Sequence, residues 1–130
     1  MKRSIPVFSL IIFLFSVMSS LLFAYPGGVS GYTKKGNNPG CGCHTSNPST
    51  SVTLTFSGPT TLNTGETGNY SVLMTYTSNI NGGGIDIAAS NGTLIKVDSR
   101  LKVLNGELTQ PSKQTGTTQL VWNFKYTAPA

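Results

Sequence analysis

Leu120-Val121-Trp122-Asn123-Phe124-Lys125-Tyr126 decides the fold. Leu120, Trp122, Phe124 and Tyr126 alternate with Val121, Asn123 and Lys125. A period of two puts the first set on one face of an extended strand and the second set on the other. Trp122, the only tryptophan, therefore points inward with Leu120 and Phe124 beside it. Upstream the same rhythm recurs. Val52, Leu54 and Phe56 alternate with Thr53 and Thr55, and Tyr70, Val72, Met74 and Tyr76 alternate with Ser71, Leu73 and Thr75. Ile85, Ile87 and Ala89 alternate with Asp86 and Ala88, and weaker runs lie at residues 93–97, 101–104 and 106–109. No stretch shows a helical repeat. Gly, Asn and Pro punctuation recurs every ten or so residues, the spacing of an antiparallel sandwich of two sheets. Residues 51–130 are thus predicted to be one all-β sandwich with Met74 in its core. Asn81-Gly82-Gly83-Gly84 reads as a hairpin loop between strands, because no Lys-Ser/Thr pair or helix follows to make it a phosphate loop.

Residues 25–50 differ in kind. They are rich in Gly, Pro, Asn, Ser and Thr, with hardly an aliphatic residue after Val29, so a long irregular loop is predicted there. This loop holds both cysteines and the single histidine of the chain, in Cys41-Gly42-Cys43-His44. Every thiol and the one imidazole are thereby placed in four consecutive residues. Further upstream, Lys2 and Arg3 precede an apolar stretch over residues 7–23, and Ala24 stands before Tyr25-Pro26-Gly27-Gly28. A positive start, an apolar middle and a small residue at the boundary describe a secretory signal peptide over residues 1–24. Ser16, Ser19 and Ser20 interrupt the apolar run, which argues against a retained membrane span. The expected location is secreted, periplasmic or at the cell surface, with no stable membrane insertion after cleavage.

From Tyr25 onward seven basic residues stand against four acidic ones, and the charges are scattered. Nucleic acid binding needs a dense basic face, and none is visible, so no nucleic acid partner is predicted. Nor is a catalytic constellation. His44 is the only imidazole, and Asp86 and Glu66 are isolated in sequence, so the chain is not read as an enzyme. The chain stops soon after its strongest strand, which as a terminal strand would be left as an edge with unpaired backbone groups. An immunoglobulin-like sandwich also uses about 100 residues, more than the stretch 51–130 supplies. The expectation is a sandwich that lacks one or two strands at its C-terminus.

The order of features resembles the choice-of-anchor V domain family of secreted bacterial proteins, which are distantly Reeler-like β-sandwiches. The resemblance rests on Tyr25-Pro-Gly-Gly, Gly31-Tyr32-Thr33 and Cys41-Gly-Cys-His44 in the first part of the mature chain. It continues through Val52-Thr-Leu-Thr-Phe-Ser-Gly-Pro59, Leu62-Asn-Thr-Gly-Glu-Thr-Gly-Asn-Tyr70 and Ile85-Asp-Ile-Ala-Ala-Ser90. Gly92-Thr-Leu94, Gly106-Glu-Leu-Thr109 and Trp122-Asn-Phe-Lys-Tyr-Thr-Ala-Pro129 complete it. The resemblance implies the sandwich, export, and further strands followed by an anchoring region. It also implies a cysteine–histidine motif at this place, often in the form C-x-x-C-H.

In C-x-x-C-H two thiols add to the two haem vinyl groups and the adjacent histidine ligates the iron. Here Cys43 and His44 keep the adjacency, and Cys41 is one residue too near to Cys43. One thioether from Cys43, with His44 on the iron, is the corresponding arrangement for a c-type haem. Three alternatives stand beside it. Cys41, Cys43 and His44 could hold Cu or Zn, although structural zinc usually takes four protein ligands. Cys41 and Cys43 could form a strained, labile disulfide, since export favours oxidation. The motif could also be inert, with no cofactor. Two functions follow. One is an exported cofactor-carrying module with envelope or redox partners. The other is a cell-surface binding or adhesion module in which the motif is incidental.

Overall fold

The computed structural model describes residues 25–38, 40–42, 47–116 and 118–130. The predicted signal peptide, Cys43 and His44 lie outside the described residues. Nine strands form: β1 (Val52–Ser57), β2 (Thr67–Tyr76), β3 (Ile80–Gly83), β4 (Asp86–Ile87), β5 (Thr93–Lys96), β6 (Lys102–Leu104), β7 (Glu107–Thr109), β8 (Gln114–Gly116) and β9 (Gln119–Thr127). Among the described residues there is no helix, so the all-β reading stands. No helix among them is long and apolar enough to cross a membrane.

The strands form a four-stranded sheet in the order β1-β2-β9-β5, a three-stranded sheet β4-β7-β6 and a two-stranded β3-β8 pair. All pairings are antiparallel. Register explains the packing. Leu54 lies opposite Met74 and Met74 opposite Leu120, while Phe56 lies opposite Val72 and Val72 opposite Trp122. Directly opposed residues share a face, so these six side chains form the inner face of the large sheet. Leu108 and Ile87, opposite one another in the small sheet, belong with it to a core that also includes Ile80, Leu101 and Phe124. Trp122, Leu101 and Leu108 are wholly buried.

Three details differ from the sequence reading. The terminal strand β9 is no edge. It pairs with β2 on one side and β5 on the other, so its backbone is satisfied on both sides and the edge argument for missing strands falls away. The edges of this sheet are β1 and β5, and the inward residues Leu54 and Phe56 of β1 are 66% and 63% exposed. Alternation marked their face correctly, but the opposite layer does not reach far enough to cover them. The glycine run is also not a free loop, because Ile80–Gly83 is strand β3 and pairs with β8. A methyl group on Gly83 would come within 2.5 Å of a Leu120 methyl carbon, so only glycine permits this close approach.

Candidate functional site

The motif-bearing loop packs as a strap on the outer face of the small sheet. Asn105-Gly106 connects β6 to β7, both residues with positive φ (52° and 80°), the conformation of a tight two-residue hairpin turn. The turn delivers Glu107 to the first position of β7. Asp86 of β4 lies opposite Thr109 of β7, so Asp86, Glu107 and Thr109 project from one face. The next residues along, Ile87 and Leu108, turn inward to the core.

The strap meets this face residue by residue. Gly28, at a φ of 78°, sits directly on the Thr109 side chain and the Gln110 carbonyl, where any Cβ would collide. Thr109 is wholly buried as a result, although it points away from the core. Ser30 Oγ accepts a hydrogen bond of 2.8 Å from Asn105 Nδ2. The Gly31 N–H donates to Glu107 Oε2, and the Tyr32 N–H donates to Asp86 Oδ2 at 3.0 Å. The Thr33 hydroxyl reaches Glu107 Oε1 at 3.5 Å. The strap then turns back on itself. Gly40 N–H donates to Asn38 Oδ1 at 3.0 Å, and the Cys41 thiol lies 3.6 Å from the Tyr32 carbonyl oxygen. Cys41 is therefore tethered to the very residue whose N–H is held by Asp86.

Of the three sequence-predicted site residues, the described structure places only Cys41, on the surface. Among the described residues no group of three or more His, Cys, Asp or Glu side chains could hold a metal ion.

Two acids that sequence reasoning treated separately, or not at all, come together here. Asp86 and Glu107 are neighbours, and the carboxyl group of Asp86 is raised from 3.8 to about 6. Burial is the largest cause. The Tyr32 N–H opposes it, and the charge of Glu107 and a hydrogen bond shared with it add to it. The other oxygen of Asp86, Oδ1, is buried with no hydrogen-bond partner. The signal in sequence was Asp86 as the one acid in the alternating run 85–89, but its partner lay 21 residues away in one of the weaker runs.

A second feature lies between the layers beside β1. Phe56, Tyr70, Phe124 and Tyr126, with Ala88 and Leu94, line an open cleft of about 340 Å³. Phe56 stacks on Tyr70 at a centroid distance of 5.5 Å, and Tyr70 on Phe124 at 5.7 Å. A scan of family models, a search of curated proteins and a search of solved structures each found no match to this chain.

Proposed function

We propose that the protein is an exported β-sandwich module whose strap presents a Cys/His cofactor motif at the surface. The observation that carries this reading is the attachment of the strap. A loop without a task needs no fixed position. This one is bonded to the sheet at Ser30, Gly31, Tyr32 and Thr33, and its chain returns to place Cys41 against Tyr32. Such anchoring fixes the chain as far as Cys41, the first residue of the motif, on the sheet.

The donor set favours a c-type haem held by Cys43, with His44 as the iron ligand. The exposure of Cys41 is compatible with attachment chemistry from solvent. A thioether forms when a thiol adds across a vinyl double bond, so the S–H hydrogen ends on carbon and nothing leaves. When bound, haem supplies one-electron transfer at iron, with a potential set by its axial ligands and surroundings. The chain's own share is to bind the group and hold the strap in one geometry. Copper or zinc on Cys41, Cys43 and His44 is the competing cofactor assignment.

A second reading is supported by the aromatic cleft and by exposed Leu54 and Phe56. It makes the protein a binding or adhesion module, similar in role to a surface domain, with an inert motif. One experiment separates the two. The protein is purified from its native envelope and its absorption spectrum recorded. A Soret band that survives acid–acetone extraction supports covalent haem. A featureless visible spectrum with no metal by elemental analysis leaves the binding module.

A further inference from the structure

The strap is held by two carboxyl groups that stand side by side, and that arrangement makes its grip depend on a proton. We propose that Asp86 and Glu107 form a proton-operated latch, which holds residues 28–33 against β4 and β7 while Asp86 is protonated and loosens when that proton leaves. The proposal stands whichever cofactor the motif carries, or none.

The balance of forces gives the sign. Glu107 accepts from the Gly31 N–H and the Thr33 hydroxyl. Asp86 has one such donor, the Tyr32 N–H on Oδ2. Its Oδ1 is buried and unpartnered, a costly place for a negative charge. Docking of the strap creates that burial, so docking and ionisation of Asp86 oppose one another. A proton on Asp86 removes the charge, leaves a carbonyl oxygen for Tyr32 and provides a donor toward Glu107. When the proton departs to solvent, two adjacent carboxylates remain and repel. The raised Asp86 value of about 6 has the same sign, since burial and Glu107 together outweigh the Tyr32 bond.

The ionisable groups around the pair come from three sides. β4 and β7 supply Asp86 and Glu107 themselves. β6 supplies Lys102, which lies opposite Thr109 and so shares their face one strand further out. The strap supplies Tyr32, Lys34 and Lys35, all exposed, with the Lys34 side chain alongside Gly40. A free imidazole ordinarily titrates in this range, so the experiment needs a control at His44.

Amide hydrogen exchange on the chain from Tyr25 onward tests the latch, with rates corrected for the intrinsic effect of pH. Protection of the Gly31 and Tyr32 amides should fall several-fold between about pH 5 and about pH 7.5. The ceiling is the factor of about 100 that a rise from 3.8 to about 6 allows. Core amides of Val72 and Trp122, which open only with the whole fold, should stay far more protected than the strap amides at every pH. Asp86→Asn keeps an acceptor for Tyr32 and adds a donor toward Glu107, so strap protection should be high and independent of pH. Glu107→Gln should weaken the pH dependence without abolishing it, because burial of Asp86 remains the larger cause, and this covers failure of the first variant to fold. His44→Ala should retain it. Wild-type strap protection that ignores pH overturns the latch. So does a pH dependence that disappears in His44→Ala and persists in Asp86→Asn.

Discussion

Trp122 carries more of the fold than any other single side chain. It is wholly buried, flanked on its strand by Leu120 and Phe124, and cross-strand from Val72. Trp122→Ala should cost about 3–5 kcal/mol, the range for emptying a large aromatic site, measured by denaturant unfolding. Its emission in the native protein should be blue-shifted. Its indole N–H is buried with no partner, so Trp122→Phe should cost much less, because the ring stays and an unsatisfied donor goes. In the motif the decisive comparison is between two cysteines. If Cys43 alone bonds a haem, Cys43→Ser abolishes covalent attachment, His44→Ala alters the iron's ligation and Cys41→Ser is tolerated. If a thiolate site binds Cu or Zn, all three substitutions weaken binding. If the cysteines form a disulfide, either substitution acts alike and His44→Ala is silent. The readouts are absorbance after extraction, metal content and thiol titration.

At the scale of elements, β1 and β9 show how far alternation can be trusted. Both have period two, and in both the predicted inward side chains do share the inner face. In β9 Leu120, Trp122 and Phe124 are buried and Tyr126 is half-buried, since the strand lies between β2 and β5. In β1 they are largely exposed, since nothing described lies over the edge. Leu54→Ala should therefore cost under about 1 kcal/mol, against roughly 2–5 for the same change at buried Leu108. Chemical denaturation of the two variants checks this contrast. The physical reason the sequence misleads is plain. A local repeat reports which way a side chain points, and the extent of the opposite sheet reports whether anything meets it. The same limit hid the site. Cys41-Gly42-Cys43-His44 was legible as a cluster of donors, but its platform was not. Asp86 and Glu107 meet only because β4 and β7 pair, and strands of two and three residues leave a faint sequence signature. The glycine run was misread for a related reason. Gly82 and Gly83 look like a loop until β3 is seen pressed against Leu120.

For the whole molecule, the raised Asp86 carboxyl sets a pH trend. A folded-state value of about 6 against 3.8 means that the native protein holds this proton more tightly than the unfolded chain. The resulting stabilisation is fully present below the unfolded value and is lost as pH rises through about 6. The denaturant midpoint should thus decline between about pH 4 and about pH 7, the reverse of the usual carboxylate case. Asp86→Asn should abolish the decline and be at least as stable as the parent at neutral pH. Export has a separate check. Protein recovered outside the cytoplasm should begin at Tyr25 by N-terminal sequencing, and a sequence beginning at Met1 or Lys2 would count against cleavage.

The strap also fixes an order of assembly. Its contacts join residues 31 and 32 to Glu107 and Asp86, separations of 76 and 54 residues. Synthesis delivers the two cysteines early and the acids that dock their loop late. Throughout that interval the thiols belong to an extended chain with no platform beneath it. Any enzyme that modifies them meets a flexible substrate first and a finished surface only afterwards. Docking of the strap waits on residues made long after it, so any change made to the thiols before then would be made on an undocked loop.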